Sequence, residues 1–300
     1  MRPPHLFRFI RATNPDYDLG RRGGTTKRYF PTPDNTRYLP AATHAIYGRP
    51  VAPTQPTTEH SGVLMSYHAE SSTAELFGGF QITIHGNPVT NWRAGRSRAL
   101  VQYLLLHVGR PVSRDTLREA LWPHLPPSAG TTSVKAAVHG ARRALGGPAG
   151  RPTPVQICSV DGGYLLRADE LRIDVTTFGR WIANAEAAVA AGNHAAAAEH
   201  FHRAVAVYQG PLLPTQDAQW VVTEREWCRT RALQALRYLS DLALTTGDWW
   251  TAIHWNRRAI DVDPYDPVAF AVLTDCHHRL GLTSQALRWD DLARGRLAEV

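Results

Sequence analysis

Residues 95–147 read GRSRALVQYLLLHVGRPVSRDTLREALWPHLPPSAGTTSVKAAVHGARRALGG, and their own punctuation divides them into three amphipathic helices. The first runs from about Arg96 to Val108, with Leu100, Leu104 and Val108 on one face, and Gly109 and Pro111 stop it. Ser113 is placed to cap the second, whose inward face is Leu117 and Leu121 and which closes before Pro123. After the loop PHLPPSAG, Thr131 or Thr132 caps a third helix. Its apolar stripe is Val134, Val138, Ala141 and Leu145, and Gly146-Gly147 ends it.

Strand patterns flank these helices. Upstream, LFGGFQITIHGNPVTNW begins at Leu76; Phe80, Ile82 and Ile84 alternate with polar residues, Gly86-Asn87 turns the chain, and Val89 starts a short partner strand. Downstream, VQICSVDGGYLLRA reads as a hairpin turning at Asp161-Gly162-Gly163. Strands, three helices and a C-terminal hairpin, in that order, describe a winged helix-turn-helix.

The third helix carries the chemistry. Thr131, Lys135, His139, Arg142 and Arg143 lie opposite the apolar stripe, at spacings of three and four that give one outward face. A helix buried on one side and basic on the other can lie in the major groove and offer donors to bases and phosphates. Arg96 and Arg98 open the first helix, where side chains and free backbone N–H groups can hold a phosphate. Charge follows the same outline: residues 76–170 carry 11 basic and 5 acidic side chains, whereas residues 171–300 carry 13 and 15. A basic module beside a slightly acidic one is what a polyanion-binding domain joined to a protein-binding domain shows.

From about Thr177 the texture changes to long helices in pairs, hinged at Gly192-Asn193, at Gly247-Asp248 and around Gly281. The second pair is expected at about Trp220–Thr246 and Trp249–Val262. Five residues after each glycine stands an alanine (Ala197, Ala252, Ala286), and twelve after it another (Ala204, Ala259, Ala293). Gly247 and Gly281 are 34 residues apart, the period of tetratricopeptide repeats, and Pro264 ends its helix where such a repeat expects it. Trp249, Trp255, Phe270 and Trp289 read as core residues of this array. The fold expected is therefore an α+β winged helix-turn-helix domain, residues 74–170, followed by an all-α tetratricopeptide-like domain, residues 171–300.

Residues 1–73 are rich in Pro, Thr, Gly and Arg and hold no sustained period, so they are expected to be a disordered or weakly ordered extension. Arg21, Arg22, Lys27 and Arg28 could serve there as a basic arm, though a spectator role is the simpler reading, and Met65 is an alternative start. No phosphate-cradling or dinucleotide-binding glycine motif occurs, nor any nucleophile–base–acid set, so neither an enzyme nor a cofactor is expected. Cys276-His277-His278 is read as helix surface or core, since adjacent helical residues diverge. No uncharged apolar run spans a bilayer, and Cys158, Cys228 and Cys276 form no framework, which fits a reducing cytoplasm.

GRSRALVQYLLLHVGRPVSRDTLREALW and GGYLLRAD, together with the helical half, resemble the Streptomyces antibiotic regulatory protein family of transcription activators over roughly residues 76–300. The resemblance implies an OmpR-type winged helix whose third helix reads the major groove through Thr132, Lys135, Ala136, His139, Arg142 and Arg143. It implies a wing, here Gly163 and Tyr164, at the minor groove or backbone. Asp161 stands where the family's wing often has arginine, so the tip is expected to add little affinity. It further implies a bacterial transcriptional activation domain, a homodimer on promoter DNA with direct repeats, and recruitment of RNA polymerase holoenzyme at secondary-metabolite genes. The PHLPPSAG loop and the repeat domain are the surfaces expected to meet polymerase. With no ATPase or sensor domain after the third repeat, the chain reads as a small, self-contained activator. A repressor, or a protein-interaction adaptor that never touches DNA, stands as the alternative.

Overall fold

A computed structural model describes residues 72–92, 95–146 and 153–298. The extension expected before residue 72 lies outside the described residues, and so does its basic arm. Strands β1 (Ser72–Glu75), β2 (Gln81–Ile84) and β3 (Asn87–Pro88) lead into α1 (Gly95–Leu105). Strand β4 (Pro111–Ser113), α2 (Arg114–Leu121), α3 (Pro127–Leu145), β5 (Gln156–Val160), β6 (Gly163–Arg167) and β7 (Leu171–Ile173) follow. The remainder is helical: α4 (Asp174–Ala190), α5 (His194–Val207), α6 (Gln219–Thr245), α7 (Trp249–Val262), α8 (Pro267–Arg279) and α9 (Thr283–Leu297).

The strands form two sheets. One has the order β3-β2-β1-β7, with β1 and β7 parallel, and the other the order β4-β6-β5, antiparallel throughout. His85 and Gly86, both at positive φ, make the β2–β3 turn. Three strands were not anticipated: β1, β4 and β7 are three or four residues long, too short to show a period.

The three central helices keep their expected faces but shift their ends. Helix α1 stops at Leu105, with the chain turning through Gly109 at φ +74°. It is buried almost all round, not on one face, because it lies between α3 and the helical half. Gln102 Oε1 accepts from Gln216 Nε2 at 3.0 Å, and Tyr103 meets the edge of Trp220 with ring centroids 5.2 Å apart. Ser113 caps α2 as expected, accepting from Thr116 N at 3.0 Å, and Leu117 and Leu121 are buried. Helix α3 begins four residues before the expected caps. Pro127 occupies its first turn, where a missing N–H costs nothing. Thr131 and Thr132 sit inside the helix and donate back to the carbonyls of Pro127 and Ser128. Val134, Val138, Ala141 and Leu145 are all buried.

The helical half repeats one joint three times. Gly192, Gly247 and Gly281 have φ of +70°, +72° and +72° between the helices of successive pairs. Asn193 and Asp248 then cap the next helix, accepting from Ala196 N and Thr251 N. Ala197, Ala252 and Ala286 are wholly buried, as is Ala204, with Ala259 nearly so, which lets paired helices approach closely. Ala293 is half-buried on α9, the last helix, which has little packed on its outer side.

The two halves share one continuous core. The backbone N–H groups of Leu76 and Phe77 donate to Asp174 Oδ2 at 2.7 and 2.9 Å. The Phe77 ring packs edge-on against Phe178 and tilted against Tyr208. Gly78 passes so close to the carbonyl of Gln209 that an added Cβ would stand 2.8 Å from it. The chemistry-bearing helix α3 is thus carried on a body that includes the first helical pairs.

Candidate nucleic-acid interface

Helix α3 turns Thr132, Lys135, Ala136, His139 and Arg143 to solvent, with Thr131 half-buried at the edge of the row. Lys135, His139 and Arg143 make no hydrogen bond or ion pair with any described residue. The charges of Lys135 and Arg143 are therefore neither cancelled nor committed. Pro127 as the start of α3 also adds an exposed first turn, Ser128 and Ala129, to this surface. Reading Thr131 or Thr132 as the cap missed it; the Pro126-Pro127 pair was the signal.

Arg142 is placed differently, although it too is exposed. Its Nε and Nη2 donate to the carbonyl of Ile157 at 2.9 and 2.8 Å, and Nη2 also to Ser159 Oγ at 3.0 Å. The guanidinium fork thus fixes strand β5 against α3 and sets where the β5–β6 hairpin stands. Sequence spacing put Arg142 beside Arg143 but could not show that a carbonyl from 15 residues away would take it up.

Two more arginines expected on phosphates are held by the protein's own backbone. Arg96 Nη1 donates to the carbonyl of Leu121 at 2.7 Å, closing α1 against the end of α2, and its guanidinium lies 5.9 Å from the Trp122 ring centre. Arg98 is half-buried over Phe80, with Nη2 3.4 Å from that residue's carbonyl oxygen. At the hairpin, Gly163 is buried against the carbonyl of Val112, leaving no room for a Cβ. Tyr164 is 5% exposed and packs beneath Arg114, 5.9 Å from its ring centre. The structure therefore gathers Thr132, Lys135, Ala136, His139 and Arg143 on one open surface. It gives Arg96, Arg98, Arg142, Gly163 and Tyr164 partners within the fold. Asp161 is exposed at the hairpin tip.

Among the described residues no group of three or more His, Cys, Asp or Glu is arranged to hold a metal ion. Cys276 is buried, and His277, also buried, donates from Nδ1 to the carbonyl of Leu273. No described helix is long and apolar enough to cross a membrane.

Similarity to known proteins defines the class. Residues 173–299, the helical half, match the family described as "Bacterial transcriptional activator domain". The transcriptional regulatory protein EmbR of Mycobacterium tuberculosis is 35% identical over 150 residues, 49% of this chain and 37% of that protein. The transcriptional regulator RedD of Streptomyces coelicolor is 28% identical over 210 residues, 68% of this chain and 59% of RedD. The regulatory protein AfsR of Streptomyces griseus is 27% identical over 168 residues, 53% of this chain and 16% of AfsR. A solved structure of M. tuberculosis EmbR in complex with a low-affinity phosphopeptide superposes with a TM-score of 0.57 at 26% identity, covering 76% of this chain and 60% of that one. The relatives that share the helical half and the EmbR-like fold are transcriptional regulators. Residues 173–299 thus match the bacterial transcriptional activator domain, and the chain as a whole is similar to these regulators while spanning little more than a third of EmbR and less than two thirds of RedD.

Proposed function

We propose that residues 74–170 form a winged helix-turn-helix that binds promoter DNA in the cytoplasm. Residues 171–300 then serve as the effector domain of a transcription activator. The uncompensated outward face of α3 is the observation that carries this reading. Lys135, His139 and Arg143 present three donors in a row over about two turns, with Thr132 and Ala136 beside them where a base edge or a thymine methyl would fit. Arg142 acts indirectly, holding the hairpin at a fixed angle to the helix, and Arg96 and Arg98 stiffen the bundle while keeping their charge. The reading helix belongs to the major groove and the hairpin to the adjoining backbone.

Two protomers on neighbouring direct repeats would raise each other's effective concentration, turning weak single sites into a usable one. Polymerase would then meet the exposed loop between α2 and α3, whose Leu125 is open to solvent, and the helical half. The family's name points to secondary-metabolite genes as the regulated set. A repressor would use the same interface, so the distinction is functional.

Footprinting of the full chain on its own upstream region and neighbouring promoters, across a salt series, tests this. Protected direct repeats whose occupancy falls steeply with salt are expected. A folded protein that protects nothing at low salt would refute DNA recognition and leave the adaptor reading in its place.

A further inference from the structure

A second surface bears unpaired positive charge, and it lies in the half of the chain that is otherwise slightly acidic. Between α7 and α9 runs a groove of about 300 Å³ lined by Arg257, His277, Gln285, Arg288, Trp289 and Leu292. No carboxylate lines it. Arg257 and Arg288 are exposed and make no ion pair or hydrogen bond with any described residue. Their neighbours are not so left: Arg279 pairs with Asp275 at 2.7 Å, and Arg294 with Asp290 and Asp291 at 2.8 Å. The positive field also reaches along α7. Burial, followed by the cations Arg258, His202 and Arg257, holds the His254 imidazole below its usual range.

The chemistry of the lining narrows the occupant. Two guanidinium groups match carboxylates in geometry and charge. A carbonyl can only accept, so His277 Nδ1 carries the proton it gives to Leu273 O at 2.7 Å. Its Nε2 makes no hydrogen bond with any described residue. Gln285 adds both a donor and an acceptor, while Trp289 and Leu292 (41% exposed) supply an apolar wall. A peptide with acidic side chains offers all the complements: carboxylates, backbone N–H groups and an apolar side chain. A phosphate backbone offers no N–H donor to the Gln285 side-chain oxygen.

We propose that the α7–α9 groove docks an acidic peptide segment of a partner protein. Its carboxylates pair with Arg257 and Arg288, and an adjacent apolar side chain lies on Trp289 and Leu292. Helical arrays bind extended peptides on such surfaces. The site is independent of DNA binding by α3.

The test is fluorescence anisotropy of the full chain with a fluorescein-labelled synthetic peptide of alternating Glu and Leu. Saturable binding is expected, abolished when every Glu is replaced by Gln and weakened at least tenfold in the Arg257→Ala/Arg288→Ala double variant. Arg294→Ala, outside the groove, should stay within twofold. The peptide substitution reads charge recognition without altering the protein, so it decides even if the double variant misfolds. Absence of saturable binding would overturn the proposal. So would equal weakening by Arg294→Ala, or equal competition by a single-stranded oligonucleotide of matched charge, either of which indicates a general polyanion surface.

Discussion

The two halves of the molecule differ in how often arginine meets a carboxylate, although Arg225 and Arg258 of the helical half donate to backbone carbonyls too. In residues 95–167 three anchored arginines donate to neutral carbonyl oxygens, Arg96 to Leu121, Arg98 to Phe80 and Arg142 to Ile157, while Arg118 pairs with Asp115 and Glu119. In residues 174–298 many pair with carboxylates: Arg203 with Glu199, Arg229 with Glu226 and Asp263, Arg231 with Glu186, Arg237 with Asp266. A carbonyl satisfies the geometry of a guanidinium without cancelling its charge, whereas a carboxylate does both. With 11 basic against 5 acidic side chains, residues 76–170 keep a net positive field around this frame, whereas residues 171–300, with 13 against 15, are nearly neutral. The difference separates anchoring from attraction. Arg142 can hold the hairpin and still contribute long-range pull on a polyanion, while Lys135 and Arg143 remain free to meet a ligand.

Replacing the free cations should give the largest effect. Lys135→Glu with Arg143→Glu is expected to lower duplex affinity about a hundredfold or more at low salt, with the melting temperature unchanged, as read by anisotropy and thermal denaturation. In the helical half, Asp266 is 1% exposed, caps α8 through Val268 N and Ala269 N, and pairs with Arg237. Asp266→Ala should cost about 2–3 kcal/mol in urea unfolding, and Asp266→Asn, which keeps the cap, clearly less. Arg142→Ala should cost about 1–2 kcal/mol by freeing Ile157 O and Ser159 Oγ, while Arg143→Ala stays within about 0.5. Equal stabilities for these two would break the distinction between anchored and free arginines.

The smallest effect lies at the seam between the halves. Burial holds the Asp174 carboxyl above its usual range, against the opposing pull of the N–H groups of Phe77, Leu76 and Val175. Its folded pKa exceeds its unfolded one, so as pH falls from neutrality the folded chain takes up this proton first and gains stability from the group. Comparing melting temperatures at neutral and mildly acidic pH should show that this contribution vanishes in Asp174→Asn.

What the sequence made legible was local. The alanines at 197, 252 and 286 and the stripe Val134, Val138, Ala141, Leu145 depend only on helical period, and each is buried where expected. What escaped depends on pairing between distant segments. The parallel pairing of β1 with β7 joins residues about a hundred positions apart, and nothing in Ser72–Glu75 announces it. Gly163 and Tyr164 looked like wing surface, but β4, three residues long, packs against them and buries both. The outward face of α3 was visible from spacing, whereas the separation of Arg142 from Arg143 needed the hairpin in place.

The salt dependence of duplex binding, measured side by side for the unaltered chain, Arg143→Ala and Arg142→Ala, tests the separation of attraction from anchoring most directly. If Arg143 neutralises a phosphate, Arg143→Ala should reduce the slope of log affinity against log salt by about one, while Arg142→Ala weakens binding with the slope little changed. Identical slopes for both variants, or salt-independent binding throughout, would contradict it.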